Sequence, residues 1–220
     1  MATGYSKMNN QSTLAMVTLL LLVLGWGITL PQAAANTLPV ASAQDLVKQT
    51  SEHLMETLKV QKSELEAHPE RIYPVVKDIV LPHFDFRRMA QFVLGKYWRP
   101  ATGEQRQRFV HEFRTLLVRT YSTALLKYSH EKIRYLPVHG PAEARDTVVR
   151  IEVLQANGGP TVPMSLHLYN KGGAWKVFDV KIDGVSLVTN YRASFASQVR
   201  SGGLNQLIEK LAEKNGKTGV

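Results

Sequence analysis

The sequence predicts an α+β fold in which helices pack on one face of a curved, four-stranded antiparallel sheet. Between about residues 43 and 128, apolar residues recur at steps of three and four, the spacing of one face of an α-helix. Between residues 132 and 182 the pattern changes to β-rich runs separated by turn residues, and after Gly184 the helical spacing returns. Because short turns join these runs, we expect the strands to form an antiparallel meander.

Two helices are predicted first. One covers residues 43–67, where apolar residues form a stripe among polar neighbours. Pro69 is suited to the first turn of a helix, and the apolar pattern that follows it stops before Pro82. A second helix is therefore expected between these two prolines.

Two further helices carry signals at their ends. Asp85 can cap a short helix over residues 86–94, and Gly95 can end it. The stretch "TGEQ" places Thr102 three residues before Gln105, which is the spacing of a capping box. A long helix is therefore expected to begin here.

The four predicted strands supply one apolar face. In the third of them, Val162, Met164, Leu166 and Leu168 alternate with other residues and so share a face. Helices must cover this face, and the two layers can either pack tightly or hold a ligand between them. The predicted strands are residues 132–138, 146–156, 161–171 and 174–182.

The first 35 residues differ from the rest of the chain. Lys7 is their only charged residue, and residues 14–30 form an apolar run. Ala33 and Ala35 follow at the positions that a signal peptidase site requires, so we expect a cleaved secretory signal peptide, with an uncleaved anchor as the alternative. The predicted parts of the chain are a signal peptide over residues 1–35, a single domain over residues 36–213 and a polar tail over residues 214–220.

Charge and cysteine content narrow the classes of partner. The chain has 27 Lys and Arg against 18 Asp and Glu, a net charge of +9, and no cysteine. An exported domain without disulfides must be stabilised by its own core. Behind a signal peptide, the positive charge favours acidic protein surfaces or anionic lipid head groups over nucleic acid, and a solvated cationic surface is the alternative.

The sequence contains no pattern typical of catalysis or metal binding. Its seven histidines lack the spacing of zinc ligands, and no glycine-rich phosphate loop exists. The stretch "GVSLV" around Ser186 is one residue short of the G-x-S-x-G elbow of hydrolases, but Val188 stands where the elbow needs glycine. No histidine follows Ser186 in the chain, so we predict that this serine caps the last helix. We predict no catalytic residue and no metal.

Two long stretches resemble a known family. They are "FDFRRMAQFVLGKYWRPATGEQRQRFVHEFRTLLVRTYSTALLKY" (residues 84–128) and "VFDVKIDGVSLVTNYRASFASQVRSGGLNQLIEKL" (residues 177–211). Both are similar to the MlaC / toluene-tolerance (Ttg2-type) family of periplasmic phospholipid-binding proteins of Gram-negative bacteria, over about residues 40–212 of the chain. The resemblance implies a cone-shaped fold, NTF2-like in appearance, with an apolar lipid cavity between sheet and helices.

The resemblance also implies a function. The family carries glycerophospholipid across the periplasm between an outer-membrane lipoprotein–porin complex and an inner-membrane ABC transporter, and so maintains outer-membrane lipid asymmetry. We therefore expect a periplasmic carrier, not an enzyme, that binds glycerophospholipid as cargo, needs no cofactor, binds no nucleic acid and is a monomer. Two alternatives stay open: an isomerase-like enzyme with one buried acid on a similar cone-shaped fold, and an envelope adaptor module with a filled core.

The candidate lipid-contacting residues are apolar and aromatic, and Val185 and Tyr121 are those that the family pattern implies most directly. Three cations are expected at the mouth of the pocket, near the lipid phosphate, with an ordinary surface role as the alternative. These cations are Lys96, Arg99 and Arg192. The expected lining residues are Phe86, Val93, Tyr97, Tyr121, Leu125, Val149, Ile151, Met164, Leu166, Val177, Val185, Val188 and Tyr191.

Overall fold

The computed structural model of the protein describes residues 40–127, 131–140 and 144–217. The predicted signal peptide and the last residues of the predicted tail, 218–220, lie outside the described residues. The helices are α1 (Val40–Val60), α2 (Lys62–Ala67), α3 (Ile72–Ile79), α4 (Phe86–Leu94), α5 (Gly103–Lys127) and α6 (Leu187–Lys217). The strands are β1 (Lys132–Tyr135), β2 (Asp146–Leu154), β3 (Val162–Lys171), β4 (Ala174–Ile182) and β5 (Val185–Ser186).

The first two predicted helices form, with adjusted bounds. The stripe predicted over residues 43–67 is divided into α1 and α2 at Gln61. Pro69 begins a 3₁₀ turn rather than the α-helix itself, and His68 before it has a non-helical backbone (φ −134°, ψ 75°), as is usual for a residue that precedes proline. The α-helix that follows ends before Pro82, as predicted.

The predicted caps of α4 and α5 are confirmed. The Asp85 carboxylate accepts a hydrogen bond from the Arg88 backbone N–H at 3.0 Å, and Gly95 ends α4 with a positive φ of 53°. At the start of α5, the Thr102 N–H donates to Gln105 Oε1 at 2.9 Å and the Gln105 N–H donates to Thr102 Oγ1 at 3.1 Å. These two reciprocal bonds make up a capping box.

The sheet is an antiparallel meander in the order β1-β2-β3-β4-β5, and the strand count differs from the prediction. The turn residues Asp183 and Gly184 both have positive φ (50° and 78°), and they fold the chain back so that Val185 pairs with Ile182. The resulting fifth strand has two residues. It was not predicted because two residues are too few to show an alternation.

The helical cluster is the largest buried cluster and joins α4, α5 and α6. Phe109 and Phe113 of α5 are fully buried in it, with their ring centroids 5.7 Å apart. Phe195 of α6 meets both rings edge-on. Edge-to-face aromatic contacts of this kind stabilise a core by more than their buried area alone.

Two smaller clusters of buried residues lie outside the helical cluster. The sheet cluster packs the start of α1 on the inner face of the strands and contains Val47, Val149 and Leu168. The α1–α3 cluster joins the end of α1, α2 and α3 around Leu58 and Ile72. The three clusters border a space between the helices and the sheet that they do not fill.

The C-terminal helix is longer than predicted. α6 contains a break at Gly203, whose φ of 78° is not helical, and then continues to Lys217. The polar tail predicted to begin at residue 214 is therefore helical as far as the structure describes it. Asn215 explains this result, because its buried side chain donates to the backbone oxygen of Glu112 at 3.0 Å and to its carboxylate at 2.7 Å.

Candidate functional site

An apolar cavity of about 360 Å³ lies between the helices and the inner face of the sheet. Its walls come from α1, α3, α4, α5, the start of α6 and strands β1 to β4. The volume falls in the range of small-molecule sites, about 300–1,000 Å³. The sequence left open whether the layers pack tightly or enclose a space, and the structure has the space.

The helical wall follows from the spacing of apolar residues on two long helices. α1 and α5 each present every fourth residue to the cavity, which places these side chains in a row along one side of the helix. α4 adds Phe86 and Met89. The two rows are Leu46, Thr50 and Leu54 on α1, and Leu117, Tyr121 and Leu125 on α5.

The sheet wall follows from strand register. Ile151, Met164 and Ile182 are direct neighbours on three successive strands, so they form a row across the sheet. Val153 and Val162 form the next contact in the same direction, towards the exposed β2–β3 turn. All five are apolar because they stand on the inner face of the alternating strands.

The two ends of the cavity differ. At one end Leu168 and Val177 are an adjacent pair with 0% and 2% of their surface exposed, and Val177 closes the wall. At the other end the wall contains Glu131 and the half-buried Val153 and Val162. The Glu131 carboxylate accepts from the Ala156 N–H of the β2–β3 turn, and we call this end of the wall the rim.

Part of the predicted lining stands on the cavity wall. These residues come from α4, from the C-terminal half of α5 and from the inner face of β2, β3 and β4. They are Phe86, Tyr121, Leu125, Ile151, Met164, Leu166 and Val177.

Four predicted lining residues belong to the helical cluster instead. Val93 and Val188 are buried in it, on sides of α4 and α6 that pack against other helices. Tyr97 packs against the same cluster, and Tyr191 places its ring 5.4 Å from that of Phe113. The pattern of apolar residues on these helices was recognised correctly, but the helical cluster, not the cavity, covers that side.

Two more predicted lining residues lie near the cavity but outside its wall. Val149 is fully buried in the sheet cluster under α1, where packing has filled the space. Val185 is 57% exposed and stands on β5, an edge strand of the sheet. Val185 pairs directly with the wall residue Ile182, at the edge of the sheet.

The three predicted mouth cations lie at the junction of α4, α5 and α6, and none of them lines the cavity. The Lys96 ammonium stands 5.3 Å from the centre of the Tyr97 ring, and the Arg99 backbone oxygen accepts from Arg106. Arg192 covers Gly95, where an added Cβ would stand 3.2 Å from its guanidinium. Their common position beside the helical cluster explains why they do not reach the rim at the β2–β3 turn.

Several wall residues were not predicted. α1 contributes Leu46 and Leu54, and α3 contributes Val76 and Val80. Their stripes were visible in the sequence, but a periodic pattern marks the buried side of a helix and does not distinguish a filled core from a cavity. Ser122 was missed because a serine is not part of the apolar pattern that marks the buried side of a helix.

The polar side chains of the wall are held in neutral or paired states. Burial raises the pKa of Tyr121 to about 12, and a hydrogen bond with Tyr191 adds to the effect. The Ser51 hydroxyl is 2.6 Å from the Tyr135 hydroxyl. Burial and the charge of Lys176 lower the pKa of His83. At neutral pH the wall is therefore almost free of charge.

Asp85 ties α4 to the sheet beside the cavity. Its buried carboxylate accepts from Lys171 Nζ at 2.7 Å and from the Tyr169 hydroxyl, both on β3. Burial opposes ionisation of Asp85, but these bonds and the one from the Arg88 N–H outweigh it and lower its pKa to about 2. Because Phe86 follows Asp85 directly, this tie fixes where α4 begins to line the cavity.

Ser186 caps the last helix, as predicted. Its Oγ accepts from the Thr189 N–H at 3.0 Å and donates to Asp179 Oδ2 at 2.7 Å. The other oxygen of Asp179 accepts from the Val188 N–H at 3.1 Å. Both polar side chains thus satisfy backbone donors of the first turn of α6, which is what a helix start requires.

Among the described residues, no group of three or more His, Cys, Asp and Glu side chains is placed to hold a metal ion. Nor does any helix in the described ranges combine the length and the apolar character needed to cross a bilayer.

Comparison with known proteins gives a family model and close relatives. The model described as "MlaC protein" matches residues 48–213. The intermembrane phospholipid transport system binding protein MlaC of Haemophilus influenzae is 27% identical over 200 residues, which cover 89% of this chain and 91% of that protein. The toluene tolerance protein ttg2D of Pseudomonas putida is 30% identical over 184 residues, 82% of this chain and 85% of that protein.

A solved structure has the same fold. It is the phospholipid-binding protein from Ralstonia solanacearum in complex with a phospholipid, which is 30% identical in sequence. The two structures superpose with a TM-score of 0.74, over 80% of this chain and 98% of the other.

Proposed function

Because the chain belongs to the MlaC family, we propose that it is a periplasmic carrier of glycerophospholipid and that the apolar cavity holds the acyl tails. The observation that carries the proposal is the unfilled space of about 360 Å³ between helices and sheet, whose wall is almost entirely aliphatic and aromatic. Two of the relatives named above, those of Haemophilus influenzae and Ralstonia solanacearum, are described as a phospholipid transport binding protein and a phospholipid-binding protein. A cavity of this kind, in a chain of this family, suits a lipid tail.

The physical task of a carrier explains the character of the wall. Exposing an acyl chain of about 16 carbons to water costs about 0.8 kcal/mol of free energy per methylene, on the order of 12 kcal/mol per chain. A carrier must offset this cost for its cargo without binding so tightly that delivery fails. Apolar contact with residues such as Ile151, Leu166 and Val177 supplies this without directional bonds.

The proposed function is not enzymatic. The one carboxylate of the described wall, Glu131, accepts a hydrogen bond from the Ala156 N–H at the rim. The serine that resembled a nucleophile, Ser186, is used in a helix cap. An isomerase-like site needs an acid among the apolar residues of the sheet, and none of the described sheet residues that line the cavity is acidic.

The proposal extends to the location and the partners of the protein. We propose that residues 1–35 export the chain to the periplasm, and that it exchanges lipid with an inner-membrane ABC transporter complex and an outer-membrane lipoprotein–porin complex. The net charge of +9 supports docking on acidic surfaces of such complexes. No cofactor is proposed, and lipid is the cargo.

Lipid content of the purified protein tests the proposal. The full chain is expressed in a Gram-negative host, recovered from the periplasm, and divided between native mass spectrometry and organic extraction with lipid analysis. We expect a mass increment of one glycerophospholipid and recovery of that lipid in the extract. Protein that carries no phospholipid and takes none up from vesicles would contradict the proposal and favour a filled-core adaptor.

A further inference from the structure

A second pocket, of about 260 Å³, lies between the start of α4 and the N-terminal half of α5. We call it the basic pocket, because four of its six described lining residues are arginine or histidine. Within the described ranges it shares no lining residue with the apolar cavity. The lining residues are Arg87, Arg106, Gln107, Val110, His111 and Arg114.

The spacing of residues on α5 produces one wall of the basic pocket. Arg106, Val110 and Arg114 recur at steps of four, so their side chains form a row along the helix. Phe109 and Phe113 are buried in the helical cluster, and the row borders this packed side of α5. The start of α4 adds Arg87, so the positive charge of the pocket comes from two helices.

Two of the arginines are held in place by Trp98, a half-buried residue between α4 and α5. Arg106 Nε donates to the Trp98 backbone oxygen at 3.1 Å, and its guanidinium carbon stands 5.5 Å from the centre of the Trp98 ring. The guanidinium carbon of Arg87 stands 5.6 Å from the same ring centre. Contacts between a cation and a ring fix the position of a guanidinium without neutralising its charge.

The three arginines of the basic pocket form no ion pair with a carboxylate in the part of the chain that the structure describes. On the sheet, by contrast, Arg134 is paired with Glu152. The Glu112 carboxylate is 4.0 Å from His111 Nε2, but it also accepts from the buried Asn215. Like charges that are held together repel each other, so this group of cations favours an anionic partner.

The wall of the basic pocket favours a phosphate group over an acidic segment of a protein. Val110 is the one apolar residue among the described lining residues, so the pocket lacks the apolar anchors on which protein interfaces depend. A phosphate has several oxygens and can accept from more than one guanidinium at a time. Trp98, beside the pocket, is of a residue type that is enriched at the head-group level of membranes.

We propose that the basic pocket binds the phosphate group of an anionic phospholipid, so that this face of the protein docks on a negatively charged membrane surface. The guanidinium groups of Arg87, Arg106 and Arg114 donate to the phosphate oxygens, and Trp98 lies at the level of the head groups. The inference goes beyond the proposed function, because it concerns a surface separate from the cavity and does not depend on what the cavity holds.

Flotation of the protein with lipid vesicles tests the inference. One set of vesicles is pure phosphatidylcholine, and the other contains about one third phosphatidylglycerol. We expect the wild type to float with the anionic vesicles only, and to be released at about 0.5 M salt. A pocket variant that combines Arg87→Gln and Arg114→Gln should partition about thirtyfold more weakly, since each arginine near an anionic surface accounts for about fivefold.

The control variant combines Arg145→Gln and Arg150→Gln, at exposed positions just before and on β2. It loses the same charge away from the pocket, so its partition should fall by less than about threefold. Equal losses in the two double variants would show that net charge acts without the pocket, and would overturn the inference. Arg114→Gln alone, at an exposed position of α5, should weaken partition about fivefold and tests the same claim if the pocket variant does not fold.

Two further results would also overturn the inference. One is a wild type that does not float with anionic vesicles; if that protein is retained on immobilised polyglutamate and the pocket variant is not, the occupant is an acidic protein segment. The other is a loss of co-purifying phospholipid in the folded pocket variant, which would show that these arginines act on the cargo of the cavity. We expect equal lipid content in the wild type and the pocket variant, so the carrier function is tested separately in the same samples.

Discussion

Met164 and Ser165 are adjacent residues of β3 that point to opposite faces of the sheet. Met164 stands on the cavity wall between Ile151 and Ile182. Ser165 lies between Arg150 and Lys181 on the neighbouring strands and does not line the cavity. The same substitution at the two positions therefore distinguishes the effect of the cavity from that of the strand.

We predict that Met164→Glu abolishes lipid loading. A carboxylate in the wall must be buried beside the acyl tails or must keep water in the cavity, so co-purifying phospholipid should fall by about tenfold or more. Ser165→Glu is the control, because a carboxylate between two cations on the outer face is tolerated. Both variants are measured by extraction of lipid from folded protein. Equal lipid content in the two variants would show that the tails do not touch β3.

Single residues also show where prediction from sequence stops. Val93, Val177 and Val188 are the same residue type in equally apolar surroundings, yet only Val177 lines the cavity. Which buried side of a helix faces another helix, and which faces a space, depends on how the elements pack together. Sequence spacing reports burial alone, so it does not separate wall residues from core residues of the same helix or strand.

The ends of the elements were far easier to predict than their packing. Asp85, Gly95, Thr102 and Ser186 act within a few residues of their own position, through bonds that depend on local spacing. β5 was not predicted, because its formation depends on the preceding turn and on pairing with the edge strand β4. Helix caps join residues that are close in the sequence, whereas tertiary contacts join residues that are far apart in it.

We predict that the bonds from Lys171 and Tyr169 of β3 to Asp85, at the start of α4, make stability depend on pH in the acid range. The pKa of Asp85 is about 2 in the folded protein, below its ordinary value of 3.8. The lower folded pKa adds stability that is complete above about pH 4 and is lost as the pH falls towards about 2. Urea unfolding of the wild type and of Asp85→Asn should therefore differ most at neutral pH and converge near pH 2.

The control for this experiment is Asp146→Asn, at an exposed position at the start of β2. It should follow the wild-type stability curve at every pH. At neutral pH we expect Asp85→Asn to lower the free energy of unfolding by about 1–3 kcal/mol, because charge-assisted bonds from Lys171 and Tyr169 are weakened. Parallel curves for the wild type and Asp85→Asn would exclude Asp85 as the source of the pH dependence.

We predict that Ser186→Ala destabilises the protein without changing lipid loading. The substitution removes the cap of α6 and one hydrogen bond to Asp179, and loss of a cap costs about 0.5–2 kcal/mol. Chemical denaturation measures the loss, and Ser194→Ala, at an exposed position further along α6, should have no effect on stability. Loss of bound lipid in folded Ser186→Ala protein would be inconsistent with a purely structural serine.

At the scale of the whole molecule, we predict that lipid removal lowers thermal stability. A ligand that binds only the folded state stabilises it by about 2.7 kcal/mol at one hundred times its dissociation constant. For a domain of this size, that difference corresponds to a melting temperature about 5–10 °C lower after delipidation. Calorimetry of loaded and delipidated protein measures it. Met164→Glu, which cannot load, should melt at one temperature whether or not it has been offered lipid.

The helical, sheet and α1–α3 clusters all end at the cavity, and each contributes side chains to its wall. In the proposed carrier, the acyl tails thus occupy the place where a conventional domain would join its clusters into one continuous interior. Cargo would then act as a removable part of the fold. Handing over a lipid would loosen the coupling between the sheet and its helices, and accepting one would restore it, so that delivery and partial relaxation of the domain become the same event.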